Sequence, residues 1–146
     1  MLTVTPEVLD RIAEKVDLGR KSLQESVLER AELLPDDERM AFLLTIRGHL
    51  TREEVSGLAG VNKGTVTRRL QRASARLYDP VVVALSDPRC TLSRKHRDIG
   101  LGRLLGRRNI DDLAAEHHIS SKQVRRMLDY VNGWYQGMRE RKQGQG

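Results

Sequence analysis

Thr51-Arg52-Glu53-Glu54-Val55-Ser56-Gly57-Leu58-Ala59-Gly60-Val61-Asn62-Lys63-Gly64-Thr65-Val66-Thr67-Arg68-Arg69-Leu70-Gln71-Arg72-Ala73 is the stretch on which the fold turns. It opens with a capping box: the Thr51 hydroxyl can accept from the amide three residues on, and Glu54 can reach back to the Thr51 amide. Val55 and Leu58 are expected to point inward. Gly60 suits a turn that needs positive φ, and Asn62 is a second helix cap. The next helix carries an inner stripe of Val66, Leu70 and Ala73 and runs to about Leu77. A helix-turn-helix needs a small residue in its first helix, a turn residue that tolerates positive φ, an apolar residue after the turn and an apolar stripe on its second helix. Ser56, Gly60, Val61 and the pair Val66 and Leu70 meet those demands. The outer face of the second helix holds Lys63, Gly64, Thr67, Arg68, Gln71 and Arg72, an array of cations and small polar groups suited to phosphates and base edges.

Working outward, Leu33-Leu34-Pro35-Asp36 reads as a break and restart, with Asp36, Asp37 and Glu38 where the helix dipole favours acids and an apolar face of Met40, Leu43, Leu44 and Ile46 closed by Gly48. Upstream, Thr5-Pro6-Glu7 predicts a helix start, followed by Val8, Leu9, Ile12, Ala13 and Val16 at helical spacing up to Leu18-Gly19. A second amphipathic stretch carries Leu23, Val27, Leu28 and Ala31. Downstream, Asp79-Pro80 and Ser86-Asp87-Pro88 mark a linker over 79–92. Ser93 caps a helix with Ile99, Leu101, Leu104 and Leu105, weakened by Gly100, Gly102 and Gly106.

Shifting the first unit by 58 residues brings Gly48 onto Gly106, Thr51 onto Asn109, Glu54 onto Asp112, Ser56 onto Ala114, Val61 onto Ile119, Asn62 onto Ser120, Val66 onto Val124 and Leu70 onto Leu128. His118 takes the turn, and Met127 joins the inner stripe. The outer face holds Ser121, Lys122, Arg125 and Arg126, with Lys122 and Arg126 read as the equivalents of Lys63 and Arg68. Asn132-Gly133 is a stop signal, and from Arg139 the basic, Gly/Gln-rich tail is expected to be disordered. The expected organisation is therefore all-α: amphipathic helices over 1–32, a helix-turn-helix domain over 33–78, the linker, a second helix-turn-helix domain over 93–138, and the tail over 139–146.

Leu33-Leu34-Pro35-Asp36-Asp37-Glu38-Arg39, Leu50 through Val55 and Gly60 through Ala73 together resemble region four of bacterial sigma factors, over about residues 33–78. Gly64-Thr65-Val66 with Arg69-Leu70 and Arg72-Ala73 is the most specific part. The resemblance implies a bacterial or phage source, a four-helix fold, binding to a promoter −35-like element of double-stranded DNA, and docking on RNA polymerase. The sigma region that melts the −10 element and binds the polymerase clamp is not expected, since 32 N-terminal residues cannot hold it. Ser56-Gly57 replaces the better helix formers usual in the family. A sigma-like regulator fits better than a self-sufficient sigma factor.

Charge supports that reading. Residues 1–40 hold 10 acids and 6 bases, whereas residues 41–146 hold 20 bases and 10 acids, a net of +10 that a phosphate backbone attracts. The candidate DNA contacts are Asn62, Lys63, Gly64, Thr65, Thr67, Arg68 and Arg72 in the first unit, and Ser121, Lys122, Arg125 and Arg126 in the second. Cys90 and the four histidines, His49, His96, His117 and His118, share no zinc-ligand spacing, so neither a metal nor another cofactor is expected. The residues suggest no catalytic set. The amphipathic, acid-bearing N-terminus is unlike a signal peptide, and a cytoplasmic, nucleoid-associated protein is expected. Two rival readings are the DNA-targeting component of a recombinase or transposase, and a protein-interaction module that docks on polymerase or a regulator.

Overall fold

The computed structural model describes residues 20–144, and these form eight helices and no strand. The helix start at Thr5-Pro6-Glu7 and the stripe from Val8 to Val16 lie outside the described residues. The chain divides into two compact units between Tyr78 and Asp79.

The first unit contains α1 (Arg20–Ala31), α2 (Asp36–Ile46), α3 (Arg52–Ala59) and α4 (Lys63–Leu77). Val27 and Ala31 are fully buried, and α1 packs on both α2 and α4. The boundary expected at residue 33 is therefore corrected: α1 is part of this core, because its apolar stripe needs a face to cover it. In α2 the inner stripe is Glu38, Ala41, Phe42, Thr45 and Ile46, while Met40 is 43% exposed. This too is a correction. Positions 38, 41, 42 and 45 share one face at helical spacing, and Glu38 can occupy it because Arg76 of α4 donates to its Oε1 at 2.7 Å. Leu58, expected inside, is 67% exposed; Val55 fills the inner position of α3, and Leu58 falls on the far side.

The second unit contains α5 (Pro80–Ser86), α6 (Arg94–Leu104), α7 (Ile110–His117) and α8 (Ser121–Gly144). The expected linker is instead a helix and loop belonging to the core. Asp79 Oδ1 accepts from the amides of Val81 and Val82, Pro80 sits at the first turn, and Val82, Leu85 and Leu92 are buried. Gly100 and Gly102 do not break α6. A Cβ at Gly100 would come within 2.8 Å of Leu85 Cδ1, and one at Gly102 within 2.8 Å of Leu113 Cδ2, so both glycines permit close packing. The stop expected at Asn132-Gly133 is absent, and α8 continues through the segment expected to be disordered as far as Gly144. Val131 is buried, and Trp134, one turn on, packs with it against Leu85 and Leu92. Burial of such side chains is worth about 1.5–3 kcal/mol each, more than the roughly 1 kcal/mol that an exposed Gly133 costs a helix.

The internal geometry of the two units repeats with an offset of 58 residues. Helices α2 and α6 share both ends under that shift, as do α3 and α7, and α4 and α8 share their first residue. Left-handed backbone recurs at His49 and Arg107 (φ 53 and 54) and at Gly60 and His118 (φ 70 and 55). The turn bonds match as well: Leu50 N to Leu44 O corresponds to Arg108 N to Gly102 O, and Val61 N to Ser56 O to Ile119 N to Ala114 O. Buried positions correspond at Val27 and Leu85, Leu34 and Leu92, Ala41 and Ile99, Phe42 and Gly100, Val55 and Leu113, Val66 and Val124, and Ala73 and Val131. Four of these positions carry a larger residue in the second unit, Leu85, Ile99, Leu113 and Val131, and Leu85 and Val131 lie against the position of the phenyl ring lost at Gly100.

His118 is a non-glycine residue at a left-handed helix end, where glycine escapes a steric cost of about 1–2 kcal/mol. His118→Gly should stabilise the protein by about 0.5–1 kcal/mol, net of the entropy that glycine adds to the unfolded chain. Urea denaturation measures this, and a loss of stability would mean that the imidazole makes a stabilising contact of its own.

Candidate nucleic-acid interface

The first cluster of candidate residues is set by local bonds at the start of α4. Thr51 and Glu54 form the reciprocal capping box of α3, Gly60 takes the left-handed turn, and Ser56 Oγ donates to the Val61 carbonyl across it. Asn62 Oδ1 accepts from the Thr65 amide at 2.8 Å and caps α4. Val66, Leu70, Ala73, Ser74 and Leu77 then face inward. Lys63, Gly64, Arg68 and Arg72 are left in solvent, with Thr65 and Thr67 half-exposed.

This outer face is partly preorganised. Arg68 Nη2 donates to Thr65 Oγ1 at 3.0 Å, and Nη1 would lie 3.5 Å from a Cβ at Gly64, so the guanidinium folds over the small residue at the helix start. Lys63 Nζ lies 3.9 Å from Glu53. Arg52 donates to Thr67 Oγ1 at 3.2 Å, which adds a cation absent from the sequence-derived set. Its position, first in α3 and directly after the capping Thr51, was the available signal. The other two arginines of α4 are spent internally: Arg69 lies 3.7 Å from Asp37, and Arg76 holds Glu38. Away from this face, burial pushes the Tyr78 phenol up and lowers Arg30, each partly opposed by the other's charge.

In the second unit Ser120 and Gln123 cap α8 reciprocally, with Gln123 N donating to Ser120 Oγ and Ser120 N to Gln123 Oε1. Ser121 Oγ donates to Asp111 at 2.8 Å, which joins the first turns of α7 and α8. Lys122, Arg125 and Arg126 are exposed and make no ion pair among the described residues. The structural offset corrects one equivalence. Arg126 falls on Arg68, but Lys63 falls on Ser121, and Lys122 falls on Gly64. The 121–111 contact thus takes the place of the 63–53 ion pair.

The candidates therefore form two sets, one at the start of α4 and one at the start of α8. Residues 24–77 match the family model of sigma-70, region 4. The match runs from α1 to the last residue of α4, so the region 4 segment includes the helix that the sequence reading had set apart. No curated protein and no solved structure matches the chain. Region 4 brings with it a DNA-binding, sigma-like, transcription-related function, and α3 and α4 supply its helix-turn-helix geometry. The region 4 match does not reach the second unit.

Elsewhere, Trp134, Tyr135 and Met138 line an open groove of about 650 Å³ with α5 and residues 87–91. On its wall Arg89 donates to Asp87 and holds that carboxyl below the usual range. Among the described residues no group of histidine, cysteine and acids is placed to hold a metal, and no helix is long and apolar enough to cross a membrane.

Proposed function

We propose that this chain is a non-enzymatic, sequence-specific regulator of transcription that reads double-stranded DNA with the N-terminal halves of α4 and α8. The observation that carries the reading is the region 4 match over a helix whose exposed face presents Lys63, Arg68 and Arg72. In this reading the early positions of each recognition helix meet base edges, and cations further along meet phosphates. Docking of the region 4 segment on RNA polymerase belongs to the same reading, as do a bacterial or phage source and a nucleoid-associated place in the cytoplasm. Two readers on one chain suit a bipartite site without requiring a dimer.

Selection of bound fragments from random duplex DNA, repeated with single variants, tests this. Arg68→Ala should relax base preference in one half of the selected site by about 1–3 kcal/mol, and Arg126→Ala in the other. Arg72→Ala should weaken all sequences alike. If Arg126→Ala leaves both half-sites and total affinity untouched, the second unit is not a DNA reader.

A further inference from the structure

We infer that the junction between α6 and α7 is a phosphate-backbone clamp built from Arg103, Arg107 and Arg108. The inference rests on the second unit being a DNA reader. The first observation comes from the repeat. Under the 58-residue offset the backbone of this junction is kept, including the left-handed residue at Arg107 and the 2.9 Å bond from Arg108 N to Gly102 O. Three of its side chains change together: Thr45, His49 and Leu50 become Arg103, Arg107 and Arg108, all exposed. In the first unit the one arginine of this junction, Arg47, lies 3.6 Å from Glu32, whereas in the second unit three arginines share the junction, with Arg108 paired to Glu116. The counterpart of Arg47 in the second unit is the buried Leu105.

The second observation is placement. Arg103 Nη1 donates to the Arg108 carbonyl at 3.2 Å, so a side chain of α6 is held at the loop leading into α7. That loop ends at the cap Asn109, and the first turn of α7 is tied to the first turn of α8 through Asp111 and Ser121. The first helix of a helix-turn-helix crosses the DNA backbone while the second enters the groove, so cations here would face the phosphates beside the groove. Of the three acids of α7, Glu116 is paired by Arg108, while Asp111, which accepts from Ser121, and Asp112 keep their charge. The third observation is a compensating loss. The counterparts of Gln71 and Arg72 on α8 are Asp129 and Tyr130, and Tyr130 packs against His96 in a tilted arrangement with ring centroids 4.9 Å apart. The phosphate contact proposed for Arg72 has no equivalent on α8, and the junction supplies one.

The test uses the full chain, anisotropy titrations across a salt series, and two labelled duplexes: one carrying the selected site and one of random sequence. Changing Arg103, Arg107 and Arg108 together to Gln should weaken both duplexes about ten- to a hundredfold and make the plot of log K against log salt shallower by roughly two to three. The triple Lys variant should retain the slope. Because the triple change removes the bonds to the Arg108 carbonyl and Glu116, Arg107→Gln alone serves if it fails to fold. That variant keeps both bonds and, with its fold checked by circular dichroism, should flatten the slope by about one. An unchanged slope in a folded Gln variant overturns the clamp, as does a change confined to one duplex. The double variant Arg125→Ala and Arg126→Ala separates the two ideas. If it alters site preference while the clamp variants change nothing, the clamp fails alone. If neither set changes binding, the second unit is not a reader.

Discussion

Binding of this chain to duplex DNA should weaken about a thousandfold between 50 and 200 mM monovalent salt. Each neutralised phosphate releases counterions and contributes about −0.9 to the slope of log K against log salt, so six contacts give a slope of about −5. Lys63, Arg72, Lys122 and Arg125 on the two recognition helices and Arg103, Arg107 and Arg108 at the α6–α7 junction are exposed cations that can supply these contacts, with Arg68 and Arg126 assigned to bases. Two further arginines of α4, Arg69 and Arg76, are excluded because they lie half-buried against acids of α2. Removing residues 1–19, which contain four acids and two bases, should leave the slope unchanged. A longer deletion into α1 would remove Val27 and Ala31 from the core and would not test charge. Fluorescence anisotropy over that salt range decides the matter, and a slope near zero would sink the DNA-binding reading of both units.

Phe42→Ala should destabilise the first unit by about 3–5 kcal/mol. Phe42 is fully buried and is the largest such side chain among the described residues. Its loss removes apolar burial and leaves a cavity that the surrounding helices fill only partly. The second unit illustrates what filling requires. There the equivalent position is Gly100, and Leu85, Ile99 and Val131 are each larger than their counterparts Val27, Ala41 and Ala73. No such enlargement accompanies the single substitution. Hydrogen exchange of the amides of α2 and α4, with urea denaturation, reads the effect. A loss under 1 kcal/mol would show that the ring is not held in a close-packed core.

Sequence by itself determined the features that rest on neighbouring residues. The capping box at Thr51 and Glu54, the caps at Asn62, Ser93, Asn109 and Ser120, and the left-handed turns at Gly60 and His118 each involve groups within a few positions of one another. The chemistry of the residues present is enough to specify them. The inner stripe of Val66, Leu70 and Ala73 followed from helical period, and the all-helical class and the region 4 resemblance followed from these pieces. The exposed placement of Lys63, Arg68, Lys122, Arg125 and Arg126 was legible for the same reason: it is the complement of the stripe.

Tertiary structure alone decided the rest, where the outcome depends on a partner far along the chain. Glu38 lies inside and Met40 outside because Arg76, 38 residues away, compensates a buried carboxylate. The turn at Asn132-Gly133 stays helical because Leu85 and Leu92 give Val131 and Trp134 somewhere to pack, which outweighs the local cost of glycine. The supposed linker folds because Val82 and Leu85 belong to a core completed by α6 and α8. Arg69 is paired with Asp37 of α2, and Arg103 is brought to Arg108 by the packing of one helix end against a loop. Local propensity ranks the states of a segment to within about a kilocalorie per residue. Burial of one large side chain or pairing of one buried charge exceeds that margin, so wherever the two conflict the distant contact sets the structure.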